Sequence, residues 1–588
     1  GYLYGVTSAI QTQLDEKAVY PTQTGNTGKY LKTDGSTASW ENVPVTSAAT
    51  TNAAGTVYGF TSNSQGNANT SLGYQSNTSG YYNTAVGFKS LNHNTGSGNI
   101  GIGFFPLYSN TTGSSNIAIG YNSQYFNTTG YTNFSIGEES LFFNTTGYYN
   151  IAIGYNSMRS NSTGAYNLGL GHYSLKNNTT GQKNTAVGHY ALKSNTTGQK
   201  NTAVGYYSLN SNTTGYYNTA VGVNALKSNT RGYYNTAVGY NALYSSVTTA
   251  VNTAVGYYAM KSLTGGNGNV ALGWGSMGSA TNTYYSIALG YYSLLNSSNG
   301  SEYNIAIGYQ NLQNNTTGAY NVTLGAYNAL RYNTTGIHNT AIGGNSVLRN
   351  NTTGSYNTAV GSLALMSNTT GTKNTAVGYY AGAAITGGSN NTFLGYQAGS
   401  TLVTGQNNVA LGSQAQVGVS NGSGNVVAGA GILGNASVAV SNNVLIGYNI
   451  QNTTPNPGAN NIAIGSGALG VTTGSNNIVI GYGAGSALTS ASNQVIIGGY
   501  SGSSIGSKVY NGYITLADGA GTLRAQWSGN GTQTHPGAMT ITNATASADV
   551  YSGALVVNGG VGIQGTLNAQ AINSPSILVN GSAVVTQA

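Results

Sequence analysis

The chain has 588 residues, of which only 4% are charged, with 89 glycines, 47 tyrosines, no cysteine and a formal net charge of +8. The lack of thiols excludes disulfides and thiolate metal sites, and no run of 18 apolar residues is present to cross a membrane as a helix. A small positive charge spread over so long a chain does not mark a nucleic-acid binder. The chain opens on Gly1 rather than Met and shows no signal peptide, which reads as a processed product or part of a longer protein.

Residues 1–50 read as an N-terminal module. Val6, Ile10 and Leu14 share one helical face and predict a short coiled coil. The stretch from Gln13 to Trp40, with P-T-Q-T-G-N-T-G-K-Y-L-K-T-D-G-S-T-A-S-W at its end, predicts a β-hairpin and resembles a module common in bacteriophage tail fibres. Residues 51–69 read as a linker or a first irregular coil.

From residue 70 to residue 378 the sequence repeats. One copy runs N-T-A-V-G-Y-Y-S-L-N-S-N-T-T-G-Y-Y from Asn201 to Tyr217. The glycine after the small apolar triplet recurs at Gly137, Gly154, Gly171, Gly188, Gly205, Gly222 and onward, 17 residues apart, slipping by one at Gly308, Gly343 and Gly361. Fixed self-similarity of this kind specifies a stacked repeat architecture. Disorder is excluded because the apolar residues keep strict columns.

The residue before the glycine is β-branched or Leu (Ile153, Leu170, Val187, Val204), and so is the third before it in many copies, with Ala or another small residue between. Alternation across a strand puts the two large positions on one face and the small one on the other. This predicts a strand of about five residues with its large face inward. A second apolar column, Leu175, Leu192, Leu209, Leu226, is expected on a second strand or bend across a narrow core. N-T-T-G then makes a turn in which Asn caps its own backbone and Gly supplies positive φ. The result is an all-β parallel β-solenoid, or β-roll, of about 25 coils and about 120 Å at the usual strand spacing. So narrow a coil, with Ala at the strand centre, is expected to self-associate as a homotrimer.

Residues 379–500 carry variant repeats that lose N-T-T-G and the Leu column, such as N-N-T-F-L-G-Y-Q-A-G-S from Asn390 to Ser400. The N-T-A-V-G-Y and N-I-A-I-G-Y coils resemble the head repeats of trimeric autotransporter adhesins, and the variant stretch is the more similar. That resemblance implies a left-handed, homotrimeric β-roll. Residues 501–588 read as a β-rich C-terminal module. Its S-G-A-L-V-V-N-G-G-V-G-I-Q-G-T-L-N segment, Ser552 to Asn568, resembles a phage-fibre element that often precedes a self-cleaving chaperone domain.

Catalytic chemistry has little material. Glycoside hydrolysis needs two converging carboxylates, and the repeats offer Glu138, Glu139 and Glu302 alone. Glu138 and Glu139 are neighbours that would point apart on a strand. His172 and His189 lie one repeat apart, where they replace the usual Tyr rather than ligate a metal. Two G-x-G-x-x-G matches, at Gly429 and Gly465, lack a βαβ setting and follow from glycine abundance. The N-x-T triplets fall in the repeat turn and read as turn residues, not glycosylation sites. No catalytic, cofactor or metal residue is assigned.

Two surface columns remain. Tyrosine pairs precede the strand, among them Tyr148 and Tyr149, Tyr216 and Tyr217, Tyr233 and Tyr234. They read either as glycan contacts or as a structural ladder. Lys176, Lys193, Lys227 and Lys261 share one register, and Lys183 and Lys200 another, as a cationic strip or as solubilising edges. The sequence thus points to a non-enzymatic trimeric virion fibre that attaches to host cell-surface glycan alongside other virion tail proteins. A bacterial surface adhesin and an inert shaft with a separate tip are the alternatives, with a tailspike-like depolymerase a third, against which the scarcity of carboxylates speaks.

Overall fold

Each small apolar triplet forms a three-residue strand, as at Thr185–Val187, Thr202–Val204 and Thr219–Val221. A computed structural model describes residues 68–76, 79–416, 421–432, 441–450, 458–470, 473–503, 512–528 and 532–534. It also describes the backbone of two further strand pairs, Lys29–Thr33 with Ala38–Asn42 and Ser576–Val579 with Ser582–Thr586. Val6, Ile10, Leu14 and the Ser552–Asn568 segment lie outside these residues. No helix occurs among the described residues.

The strands from Thr70–Leu72 to Ile514–Ala517 pair in parallel, each with the next coil. Register is one residue to its equivalent: Thr202 faces Thr219, Ala203 faces Ala220 and Val204 faces Val221. The stack makes about 24 turns of about 17 residues, a body of about 115 Å at ~4.8 Å per rung. After Ile514–Ala517 the chain turns back through antiparallel strands Leu523–Trp527 and Gln533–Thr534.

Three expectations about the coil need correction. The strand is three residues long rather than five, while the Leu column takes the bend rather than the second strand of the two forms expected for it. Leu175, Leu192, Leu209 and Leu226 hold φ near +50°, so the chain doubles back there instead of extending. The faces of the strand are also reversed. Ala186, Ala203 and Ala220 are fully buried, while the flanking Thr and Val side chains are half-exposed. The cause is width. Leu192, Leu209 and their equivalents fill the interior from the opposite wall, and only a methyl group fits between them and the strand. Larger residues at the strand edges are displaced outward.

The third correction concerns glycine. The clock glycines sit at φ near +130°, as at Gly205, a region closed to other residues. A Cβ on Gly205 would also lie 2.5 Å from the carbonyl oxygen of Gly222. The N-T-T-G glycines, in contrast, are not in the left-handed region. Gly198 is needed for space: a Cβ there would strike Asn195 Oδ1 and come within 2.5 Å of Gly215 O.

Half of the interior is polar. The turn Asn does cap its own backbone, Asn212 Nδ2 donating to Gly215 O at 3.1 Å, but it is fully buried. It also donates to Asn195 Oδ1 of the coil before at 2.7 Å. A second column precedes the strand: Asn201 donates from its backbone N to Asn184 Oδ1 (3.0 Å) and from Nδ2 to Gly215 O (2.8 Å). Two amide ladders therefore run along the stack beside the Leu and Ala columns.

Candidate glycan-contact surface

The expected contact residues lie at one corner of the coil, immediately before the buried Asn that precedes the strand. The second tyrosine of each pair holds φ near +55°, as at Tyr149, Tyr217 and Tyr234. This left-handed kink turns both rings outward while the next residue points in. Tyr149, Tyr216, Tyr217, Tyr233 and Tyr234 are exposed, and Tyr148 is half-buried.

The rings do not stand free. Tyr216 and Tyr233 stack at 5.1 Å between centroids and 4° between planes, and Tyr217 and Tyr234 at 4.9 Å and 13°. Tyr131 stacks on Tyr148, and Tyr149 on Tyr166. Further along, Tyr285, Tyr303, Tyr320, His338 and Tyr356 form one continuous column. Within a ladder both faces of an inner ring are covered by its neighbours. A ring face is open only where a column stops.

One such stop lies between Tyr166 and Tyr216–Tyr217, where two coils carry Gln182–Lys183 and Gln199–Lys200 instead. A shallow cleft of about 280 Å³ opens here, lined by Thr197, Gln199, Lys200, Thr214, Tyr216 and Tyr217. Lys200 Nζ bonds the Tyr217 hydroxyl and lies 4.5 Å from the centre of that ring. Among the described residues neither Lys183 nor Lys200 has an acidic partner.

A second aromatic column follows the clock glycine, including Tyr155, His172, His189 and Tyr206. His172 and His189 have ring centroids 5.9 Å apart and tilted by 35°, and stand where Tyr stands in other coils. No cluster of three or more metal-ligating side chains occurs among the described residues. The lysines of the other register are folded onto rings. Lys176, Lys193 and Lys261 lie 5.0, 4.9 and 4.4 Å from the centres of Tyr173, Tyr190 and Tyr258. Glu139 is held by Arg159 at 2.5 Å.

The largest feature is the outer strand face, which reasoning from the sequence placed inward. Leu170, Leu272, Leu324 and Leu394 are 42, 49, 50 and 50% exposed, and Ile151, Ile446, Ile478 and Ile497 are exposed with them. In the T-A-V coils between them the same column continues as half-exposed Val, with Thr on the other flank of the strand. No protein-family model matches the chain, and no curated protein matches it either.

Proposed function

We propose that the chain is a homotrimeric structural fibre of a virion, a phage tail fibre, which attaches to glycan on the host cell surface. The observation that carries this reading is the column of Val, Ile and Leu along the outer strand face, half-exposed in the T-A-V coils and exposed at Leu170, Leu272, Leu324 and Leu394. Isolated patches on monomers rarely exceed a few hundred Å², and a strip the length of the stack asks for copies of itself aligned side by side. A stiff multi-chain shaft carries weak contact sites at a distance from its anchor and multiplies them by avidity. The resemblance of both end segments to phage-fibre elements favours a virion over a bacterial cell surface. The ring stacking favours a mainly structural role for most coils, with contact confined to where the ladders break.

The test is direct. The purified chain should sediment as a trimer, and placing Lys at Val204, Val221 and Val238 together should yield monomers that keep the β signature. It should also bind host cells and lose that binding when surface polysaccharide is stripped. A wild-type chain that stays monomeric at micromolar concentration, or that ignores cells and glycans alike, refutes the reading.

A further inference from the structure

The tyrosine ladder breaks for two coils in more than one place, as at Ala250-Val251 with Asn267-Gly268 and at Gln182-Lys183 with Gln199-Lys200, and of these two gaps only the latter carries cations. Resting on the glycan-binding reading above, we propose that the two-coil gap formed by Gln182, Lys183, Gln199 and Lys200, bounded by Tyr166 and Tyr216–Tyr217, binds an acidic oligosaccharide, with its carboxylate on the two lysines. Three observations converge. The gap leaves the outer faces of Tyr166 and Tyr216 without a stacked ring, with Lys200 over that of Tyr217, and pyranose faces stack on such rings. It places two exposed cations of one register on successive coils, about 4.8 Å apart along the axis, without acidic partners among the described residues. It also supplies Gln199, Thr197 and Thr214 as neutral hydrogen-bonding groups around the cleft.

The lysine columns differ in availability. Lys176 and Lys193 have their ammonium groups over Tyr173 and Tyr190, whereas Lys183 has no such ring contact, and Lys200 is held only by Tyr217, which the ligand itself would cover. From Tyr166 to Tyr217 is three rungs, about 14 Å, long enough for a short oligosaccharide lying along the axis. Attraction of this kind between exposed charges weakens with salt.

The full chain is titrated with a short oligoglucuronate and with a neutral glucose oligosaccharide of the same length, at low and high salt. Wild type should favour the acidic probe, and K183Q/K200Q should lower its affinity at least tenfold. K176Q/K193Q, with the same charge change, should leave it within about twofold, and matching melting curves confirm that both variants fold. Equal losses in the two variants would mean a diffuse charge effect and overturn the site. Unchanged binding in K183Q/K200Q would do the same, while persistent attachment of that variant to host cells would leave the broader glycan-binding reading standing. A wild type that binds neither probe and no host cell sinks both.

Discussion

Gly205 cannot accept a Cβ without moving the rung beside it. Its φ of +132° and the carbonyl of Gly222 oppose every other residue. Gly205→Ala should cost about 2–5 kcal/mol, strain and clash together, read as a drop in melting temperature. The buried Asn column makes a finer prediction. Asn212 sits inside its ladder, between Asn195 and Asn229. Asn212→Ala leaves Asn195 Oδ1 without a donor and an Asn229 N–H without an acceptor, about 2–4 kcal/mol in total. Asn368 ends its ladder, because the next coil carries Ile385, and its Oδ1 already lacks a partner. Asn368→Ala orphans only Asn351 Oδ1 and should cost about 1–2 kcal/mol. Equal losses at the two sites would contradict the ladder account. The same burial seals Asn195 and Asn212 of the N-T-T triplets away from any glycosylating enzyme once the chain is folded.

The coil as an element tolerates change by exchange within its thin interior. From residue 379 the Leu of the turn becomes Gly382 and Gly399, and the strand Ala becomes Phe393, which is fully buried. A Cβ on Gly382 would lie 2.6 Å from the Phe393 ring, so the ring occupies the volume that Leu fills elsewhere. Phe393→Ala should therefore open a cavity on two coils and cost about 3–5 kcal/mol, with Phe393→Leu recovering much of it. Coils of 18 residues are absorbed in the same manner. The extra residue before Asn304 stays in a loop, and Ile287 still faces Ile305. The period and the strand were legible in the sequence because Gly, β-branched and small residues recur in columns. The direction of the strand faces was not. Alternation shows that two residues share a face but not which face is inside, and the size of Leu209 across a narrow interior decides it. The tyrosine pairs were legible as a column, while the covering of one ring by the next needed coordinates.

For the whole molecule, stability has few acidic groups to depend on. Between residues 70 and 500 the carboxylates are Glu138, Glu139 and Glu302, so the melting temperature should change little from neutral pH to mild acid. Alkali is different. The Tyr257 phenol is pushed up to about 12 by its hydrogen bond with Tyr258 and then by burial, and Tyr207 and Tyr291 are raised as well. A phenol raised in the folded state stabilises fully below its ordinary value of 10.0 and ceases to do so as pH climbs through about 12. Melting should fall across that window as the tyrosinate absorbance that marks it rises. A collapse beginning near pH 8 would contradict this.

Because each rung meets its neighbours through identical partners, the molecule has a unit of length. Removing residues 218–234 would join Tyr217 to Asn235 and restore the same succession of residue types at the seam. Such a shortened chain should fold as well as its parent and be shorter by one step of about 4.8 Å. Reach can thus be lengthened or trimmed by duplicating or losing whole copies, a gauge marked in glycines, where a deletion of half a copy would leave no seam that closes.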